Sequence, residues 1–282
     1  VPNEHLSPDG SKAAYIKDHN LWVRNTQTDE RTQLTFDGKE DFGYATDNAG
    51  WTKSQAAILL WSPQSDKIAT FRHDGRGVGE MYLYNTQVGH SKLQAWKYPL
   101  PGDSLIFRIE RVVIHLDKKP KVVRLNMPPD PHRSTISDHI AGNNDEFLDV
   151  EWSADGRMLA FVSSSRDHKT AELKIADPFT GRVRTVLNES VATYFESGED
   201  KVNCHVLHEC GEVMWFSVRD DRGHLYLYDL ATGSLKQQIT KGEWRVLQVH
   251  HIDVANKVIY FLGSNKEEGD PYFHYLYSIN MD

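Results

Sequence analysis

Short segments in which apolar and polar residues alternate recur along the chain, and several begin after a similar polar phrase. Ser7-Pro8-Asp9-Gly10, Trp61-Ser62-Pro63 and Trp152-Ser153-Ala154-Asp155-Gly156 each lead into such a segment. A second type of segment, mostly aromatic and closed by a polar turn, occupies residues 20–25, 81–85, 172–177 and 223–229. A two-residue period is typical of β-strands, and apolar residues on both faces indicate sheets that are covered on both sides. The pattern therefore predicts an all-β chain.

The spacing of these segments predicts a repeated sheet unit. Copies separated by roughly 40 to 50 residues, without a helical pattern, are typical of the four-stranded antiparallel blades of a β-propeller. The interval between the phrases at Ser62 and Ser153 is longer than the others, so we place a degenerate unit at residues 108–125, where two strands are predicted. This gives about six blades in a single domain that spans residues 1–282.

Glycine-containing pairs mark the predicted turns. Asp-Gly occurs at 9/10, 37/38, 74/75 and 155/156, and Thr-Gly occurs at 180/181 and 232/233. Glycine adopts positive φ readily, and tight hairpin turns require it. We therefore expect each of these pairs to supply a residue of positive φ between two strands.

Composition excludes several classes of function. The net charge of −8 argues against a nucleic-acid surface, which needs clustered lysine and arginine. No apolar run approaches the length of about 18 residues that a membrane helix needs, and no signal-peptide pattern opens the chain. We therefore predict no nucleic-acid partner and no membrane segment in this chain.

The cysteine and histidine residues give no metal site. Cys204 and Cys210 are compatible with a hairpin disulfide or with two thiols, and the sequence leaves both alternatives open. His205 and His208 lie between them, but alternation along a strand places these two side chains on opposite faces. The adjacent His250 and His251 are separated in the same way. We predict no metal and no other cofactor.

Several motifs, taken in order, resemble the propeller domain of the dipeptidyl peptidase IV branch of the prolyl oligopeptidase family of serine peptidases. The resemblance runs along nearly the whole chain, and its most specific piece is Thr240-Lys241-Gly242-Glu243-Trp244-Arg245-Val246. The other matching segments are residues 39–41, 60–63, 96–102, 177–181 and 223–228.

The resemblance implies that this chain is a non-catalytic part of a larger enzyme. In that family an eight-bladed propeller caps an α/β-hydrolase domain that carries Ser, Asp and His, and the propeller limits access to peptides. No Gly-x-Ser-x-Gly nucleophile motif is present, so we assign no catalytic residue. The implied partners are the hydrolase domain of the same parent chain, a peptide substrate and a second copy of the parent in a homodimer. About six blades against eight imply that both ends have been trimmed, and bacterial members are commonly exported.

The family's substrate clamp is a pair of adjacent glutamates between a Lys-Glu-Asp turn and the Trp-Ser-Pro strand, and this chain departs from it. Between Asp41 and Trp61 there is no glutamate. A lysine in this loop repels a peptide ammonium, and Ser or Gln offers only neutral acceptors, so dipeptide-releasing specificity is not implied. We expect the loop to face the substrate cavity, with these candidate substrate-binding residues: Asp47, Trp51, Lys53, Ser54 and Gln55.

Two other functions remain open. One is a stand-alone propeller that displays loops for protein binding; a Gly-x-Ser-x-Gly segment downstream in the parent would exclude it. The other is a GDSL-type ester hydrolase, because three short sequence segments resemble motifs of that class and occur in the same order along the chain. It would use Ser104 as nucleophile, His224 as base and Asp221 as orienting carboxylate, with Gly102 and Asn144 at the oxyanion. That class alternates strands with helices, whereas residues 106–113 predict a strand.

Overall fold

The computed structural model describes residues 3–46, 55–86, 88–131, 147–148, 150–196 and 204–282. These residues form strands and turns, and none of them lies in a helix. The protein is all-β, with the four-stranded antiparallel sheets of a β-propeller, so the predicted fold class is confirmed.

Most of the sheets pair their strands in chain order. The first contains β1 (His5–Leu6), β2 (Lys12–Lys17), β3 (Asn20–Asn25) and β4 (Arg31–Gln33). The third contains β12 (Val150–Trp152), β13 (Leu159–Ser164), β14 (Thr170–Ala176) and β15 (Val183–Ser190). The fourth contains β16 (Cys204–Leu207), β17 (Glu212–Ser217), β18 (His224–Asp229) and β19 (Leu235–Gln238). The fifth has three strands: β20 (Arg245–Asp253), β21 (Val258–Ser264) and β22 (His274–Asn280).

The second sheet contains an insertion. Its strand order is β10 (Lys121–Arg124), β9 (Arg108–His115), β6 (Lys67–Asp74) and β5 (Leu60–Trp61), and β11 (Asp130–Pro131) also pairs with β9. Between β6 and β9 the chain leaves the sheet and forms a separate two-stranded hairpin of β7 (Glu80–Asn85) and β8 (Lys92–Lys97), named here hairpin β7–β8. Strands β6 and β9 are antiparallel over their full length, with Asp74 opposite Arg108.

The pairing of β6 with β9 corrects one prediction. The two strands expected within residues 108–125 are present, but they do not form a separate degenerate unit, because they complete the sheet that begins at β5. The aromatic segment at 81–85 belongs to hairpin β7–β8 and occupies no place in that sheet. Pairing partners separated by a long insertion are not encoded in the local pattern.

Strands in the fourth sheet are buried on both faces, as the mixed apolar pattern predicted. Along β17, Val213, Met214 and Trp215 are fully buried, and in β18 Leu225 and Tyr226 are buried beside them. Burial on both faces explains why these strands contain apolar residues at consecutive positions.

The turn predictions are confirmed at four of the six glycines and are wrong at two. Gly10, Gly156, Gly181 and Gly233 have positive φ, whereas Gly38 and Gly75 do not. Close packing explains the glycines at these two positions. A Cβ on Gly38 would lie 2.2 Å from the His19 carbonyl oxygen, and one on Gly75 would lie 2.9 Å from His73 Nε2.

The chain forms two compact units. One comprises Val1–Phe147, Asp155–Leu159 and Ala176–Val183, and the other comprises Leu148–Ala154, Ala160–Ile175 and Arg184–Asp282. A single domain over residues 1–282 stays a prediction. Within the described ranges no helix is long and apolar enough to span a membrane.

Candidate functional site

The predicted substrate loop lies between β4 and β5. Asp47, Trp51, Lys53 and Ser54 fall outside the described residues, so their substrate contacts stay predictions. Gln55 is described: it is exposed and lies outside any strand, directly before the buried residues that lead into β5.

Both flanks of this loop are held against strand β6. The Ala45 amide donates to the Phe71 carbonyl at 2.9 Å, and the Ile58 amide donates to the Ala45 carbonyl at 2.9 Å. The buried Thr70 hydroxyl then donates to the Ile58 carbonyl at 2.7 Å. The two flanks of the loop therefore lie beside each other on a buried strand.

A polar network fixes the residues that precede the loop. The Tyr44 hydroxyl donates to Asp37 Oδ1 at 2.7 Å, and Arg72 and Arg124 contact Asp37 Oδ2 at 2.7 and 3.2 Å. The same two arginines contact Glu110 Oε2 at 2.7 and 3.2 Å. Both carboxylates of this network are therefore already paired with cations.

The ionisation of this network follows from its contacts. Burial, followed by the bond to Asp37, raises the pKa of Tyr44 to about 12. Burial alone would raise the pKa of Asp37, but the Tyr44 hydrogen bond and the charges of Arg72 and Arg124 outweigh burial and lower it. The network thus holds an ionised carboxylate and a neutral phenol, and we assign it a structural role in positioning the loop flank.

Phe42 adds an aromatic contact at the same place. The guanidinium carbons of Arg72 and Arg76 lie 4.1 and 3.8 Å from its ring centroid, within the range of cation–π attraction. Arg76 is held in turn by a bidentate pair with Asp74 at 2.8 and 2.7 Å. The end of β6 is therefore tied to the start of the loop.

Hairpin β7–β8 is joined to the same flank. Lys97 Nζ lies 2.5 Å from Asp41 Oδ2 and 2.8 Å from the Gly75 carbonyl oxygen. The Gly75 amide donates to the Asp41 carbonyl at 2.8 Å. One lysine thus links the root of the hairpin to the residues before the candidate loop.

The second unit contains a groove that the sequence analysis did not predict. Its volume is about 800 Å³ and it is formed by the segment after β15, the turn between β17 and β18, the start of β20, and the end of β21 with the loop after it. Aromatic side chains and both signs of charge line it, notably Tyr194, Glu196, Asp221, Arg222, Trp244 and Tyr272. We call this cavity the Trp244 groove.

Packing on several sides fixes the Trp244 ring. It stacks on Phe261 at a centroid distance of 5.9 Å and meets His224 edge-on at 5.3 Å. His224 is itself fixed, because its Nε2 donates to the Gly242 carbonyl at 3.0 Å and its Nδ1 lies 3.1 Å from Thr240 Oγ1. The conspicuous Thr240 to Val246 run therefore builds one wall of the groove, a role that the sequence analysis did not assign to it.

The structure does not support the ester hydrolase alternative. His224 is buried in β18, where both ring nitrogens already have partners, and burial lowers its pKa. Ser104 lies in an irregular segment before β9, and Asn144 is outside the described residues. The strand expected at 106–113 is present as β9, which starts at Arg108.

The described residues also include both cysteines and the histidines between them. Cys204 starts β16 and Cys210 lies in the turn that follows the strand, and the two are not joined by a disulfide. The Cys210 thiol donates to the Leu207 carbonyl at 3.5 Å. No group of three or more metal-ligating side chains converges in the part of the chain that the structure describes.

Comparison with known proteins relates the whole chain to peptidases. The family profile described as the dipeptidyl peptidase IV (DPP IV) N-terminal region matches residues 2–282. Dipeptidyl-aminopeptidase B of Aspergillus niger is 22% identical over 98% of this chain, and dipeptidyl peptidase 4 of Trichophyton equinum is 24% identical over 98%. The chain spans 32% and 35% of the lengths of these two relatives.

A solved structure shows the same fold. The crystal structure of Porphyromonas gingivalis dipeptidyl peptidase 4 superimposes with a TM-score of 0.75 at 19% sequence identity, covering 99% of this chain and 37% of that one. At this identity the likeness shows the fold alone, whereas the profile match covers nearly every residue. The chain therefore belongs to the dipeptidyl peptidase IV N-terminal region family.

Proposed function

We propose that this chain screens and positions peptide substrates for a serine-type hydrolase domain elsewhere in its parent protein. The observation that carries the proposal is the family match over residues 2–282, together with a length about a third of that of the peptidase relatives. Those relatives are named as dipeptidyl peptidases, and a chain of this length leaves room in them for a further domain. The absence of a Gly-x-Ser-x-Gly motif from the chain agrees with a non-catalytic role.

The loop with the candidate residues Asp47, Trp51, Lys53, Ser54 and Gln55 is the proposed contact to substrate. Its flanks are held by backbone pairing to β6 and by the Asp37 network, so the loop starts from a fixed base. A fixed base lowers the entropy cost of ordering a binding loop. Since the loop lacks the paired glutamates of the family, we expect substrate preferences that differ from those of its dipeptide-releasing relatives.

Kinetics of the full-length parent test this proposal. We expect the parent to hydrolyse amino-terminal peptide substrates and the 282-residue chain alone to hydrolyse neither dipeptidyl nor ester chromogenic substrates. Replacing residues 47–55 in the parent should raise KM by about tenfold with little change in kcat, because the loop contributes binding and not chemistry. Substituting the exposed Lys118 and Lys119, in the turn between β9 and β10, is the matched control and should leave KM unchanged.

Two results would contradict the proposal. One is turnover by the chain alone that disappears in Ser104→Ala, which would favour the hydrolase alternative. The other is a loop replacement that leaves the peptide kinetics of the parent untouched.

We further infer that the parent is a homodimer, and hairpin β7–β8 supports this inference. Tyr82 and Tyr84 lie on one face of the hairpin with the cross-strand neighbour Leu93, and their exposed fractions are 58%, 70% and 54%. A two-stranded hairpin is marginally stable by itself in water. Exposed apolar residues grouped in this way are typical of association surfaces.

A further inference from the structure

We propose that Asn188 is the acceptor of an N-linked oligosaccharide, attached when the parent chain passes through a eukaryotic secretory pathway. The 282-residue sequence contains a single Asn-x-Ser/Thr tripeptide with a middle residue other than proline, and it is Asn188-Glu189-Ser190. Such a tripeptide is the acceptor sequence for N-glycosylation. Matches of this length also occur by chance, so the way in which the fold presents the tripeptide carries the proposal. Attachment of a glycan here is independent of the proposed function.

The tripeptide ends β15, and its side chains alternate between solvent and the interior. Asn188 and Ser190 are exposed, whereas Glu189 between them is 7% exposed. Alternation along a strand therefore places the asparagine and the serine together on the outward face. Glu189 is held inside by hydrogen bonds from Trp215 and Arg219, at 2.7 Å each. These bonds fix the register of the strand, and a shift by one residue would turn Asn188 inward.

The amide nitrogen that would carry the glycan is free. Ser190 Oγ donates to Asn188 Oδ1 at 3.4 Å, and within the described residues Asn188 Nδ2 has no hydrogen-bond partner. A glycan on this atom therefore displaces no contact of the folded chain.

The transfer step needs one co-reactant, an oligosaccharide linked to a lipid pyrophosphate. A bond forms between Asn188 Nδ2 and the anomeric carbon of the first N-acetylglucosamine, and the bond from that carbon to the pyrophosphate oxygen breaks. The lipid pyrophosphate leaves with the bonding electron pair, and Nδ2 gives one proton to a base of the transferase. No oxidant or reductant takes part, and the glycosylated amide stays neutral.

The position of Asn188 also gives the glycan a structural role. Strand β15 is the edge of the third sheet. The fourth sheet covers its first half: Arg184 Nη2 donates to the Leu230 carbonyl at 2.9 Å, and a Cβ on Gly233 would overlap the Val186 carbonyl oxygen. At Asn188 the strand is exposed. An open edge is a template for pairing with another chain, so we expect the glycan to shield this half of β15.

Secretion of the full-length parent from a eukaryotic cell line, with an added signal peptide, tests the site. We expect mass spectrometry to find a glycan on the tryptic peptide 185–201, and peptide N-glycosidase F to release it and convert Asn188 to aspartate. Asn188→Gln removes the nucleophilic amide, and Ser190→Ala removes the hydroxyl of the acceptor sequence, so each should abolish the modification. Ser190→Thr keeps a hydroxyl at this position and should retain the glycan.

Two controls make the result specific. Asn126 is exposed but is followed by Met127 and Pro128, so it lies outside any acceptor sequence. Asn126→Gln should leave the glycosylated fraction of peptide 185–201 unchanged. The parent expressed in the cytosol of the same cells should carry no glycan on this peptide.

Aggregation of the secreted proteins measures the role at the sheet edge. On mild heating we expect Asn188→Gln and Ser190→Ala to aggregate about twofold to fivefold faster than the original parent, because both leave the end of β15 uncovered. Ser190→Thr should aggregate like the original. Light scattering as a function of time gives the rates.

The proposal is overturned if Asn188 is unmodified in the secreted parent, or if the modification persists in Ser190→Ala. Equal aggregation rates of the glycosylated parent and the two unglycosylated variants would overturn the role at the edge. These results are distinct from failure of the proposed function, which the peptide kinetics of the parent test separately.

Discussion

The buried ionisable residues that the structure describes are paired or kept neutral, and the Glu189 cluster shows how. Glu189 is buried, and its carboxylate accepts hydrogen bonds from Trp215 Nε1 at 2.7 Å, from the Ser217 hydroxyl and from Arg219 Nη2 at 2.7 Å. A buried carboxylate is tolerated when several donors and a cation replace its water. This cluster links β15 of the third sheet to β17 of the fourth.

Glu189→Gln should destabilise the fold by about 2–3 kcal/mol, the scale of hydrogen bonds to a charged group. The glutamine amide keeps one acceptor oxygen, but its NH₂ group faces side chains that are themselves donors. Arg219, which is one-third exposed, also loses its counterion. Urea unfolding of both chains measures the difference. Asp282→Asn, which removes an exposed partner of Lys257, is the control and should have no measurable effect. Equal stability of the Glu189→Gln and original chains would contradict the expectation.

His73 predicts a dependence of stability on pH. Burial lowers its pKa to about 4 from an ordinary value of 6.5. Because the folded pKa lies below the unfolded one, the neutral histidine contributes stability that is complete above pH 6.5 and is lost as the pH falls from 6.5 to 4. The loss is on the order of 3 kcal/mol.

Urea unfolding over this pH range checks the His73 prediction. His73→Leu should remove this part of the pH dependence, whereas His250→Leu, at an exposed position of β20, should retain it. A His73→Leu chain with the same pH profile as the original would show that another group is responsible.

At the scale of single elements, two glycines in tight turns differ in how closely they pack against a neighbouring strand. Gly233 and Gly211 lie in two turns of the fourth sheet and have nearly equal φ values of 69° and 68°. A Cβ on Gly233 would lie 1.8 Å from the Val186 carbonyl oxygen, whereas a Cβ on Gly211 meets nothing within 4 Å. Alanine substitutions at the two positions therefore separate the free-energy cost of left-handed backbone from the cost of a steric clash.

Gly211→Ala should cost about 1 kcal/mol of unfolding free energy, which is the cost of the left-handed backbone alone. Gly233→Ala should cost several times more, because β15 must also move away from the turn. Thermal or urea unfolding of the two variants gives both numbers. Equal destabilisation by the two variants would contradict this expectation, because it would mean that the backbone near Val186 moves aside with no cost in free energy.

The sequence predicts strands better than it predicts their partners. Strands were expected at 20–25, at 223–229 and twice within 108–125, and β3, β18, β9 and β10 lie there, because alternation and turn residues are local properties. The segment at 81–85 has the same pattern but pairs only with β8. Nothing within such a segment specifies whether its neighbour comes from the next turn or from beyond an insertion.

The same limit applies to the candidate sites. The position of the loop before Trp61 was predictable from motif order, and the structure adds the backbone pairing of Ala45 and Ile58 that fixes its base. The Trp244 groove was not predicted, since it brings together residues from several elements that are distant in sequence. The one local sequence feature that indicates this groove is the pair Gly242 and Trp244 within the segment 240–246.

For the whole molecule, the exposed face of hairpin β7–β8 predicts the oligomeric state. Tyr84→Glu with Leu93→Lys should convert a dimeric parent to a monomer, because it removes apolar area while the new cross-strand charge pair preserves the hairpin. Light scattering after size exclusion measures the mass. Phe36→Glu, at an exposed apolar residue outside the hairpin, is the control and should remain dimeric. A double variant that stays dimeric would place the interface elsewhere.

The register of β6 and β9 has a consequence for how this hairpin could be gained or lost. Asp74 and Arg108 are direct partners at the end of the ladder, so the two points at which the chain leaves and rejoins the sheet are adjacent. A short turn between them would close the blade without altering a single pair of its ladder. We therefore expect the hairpin to be removable from the chain without a change in the pairing of β6 with β9.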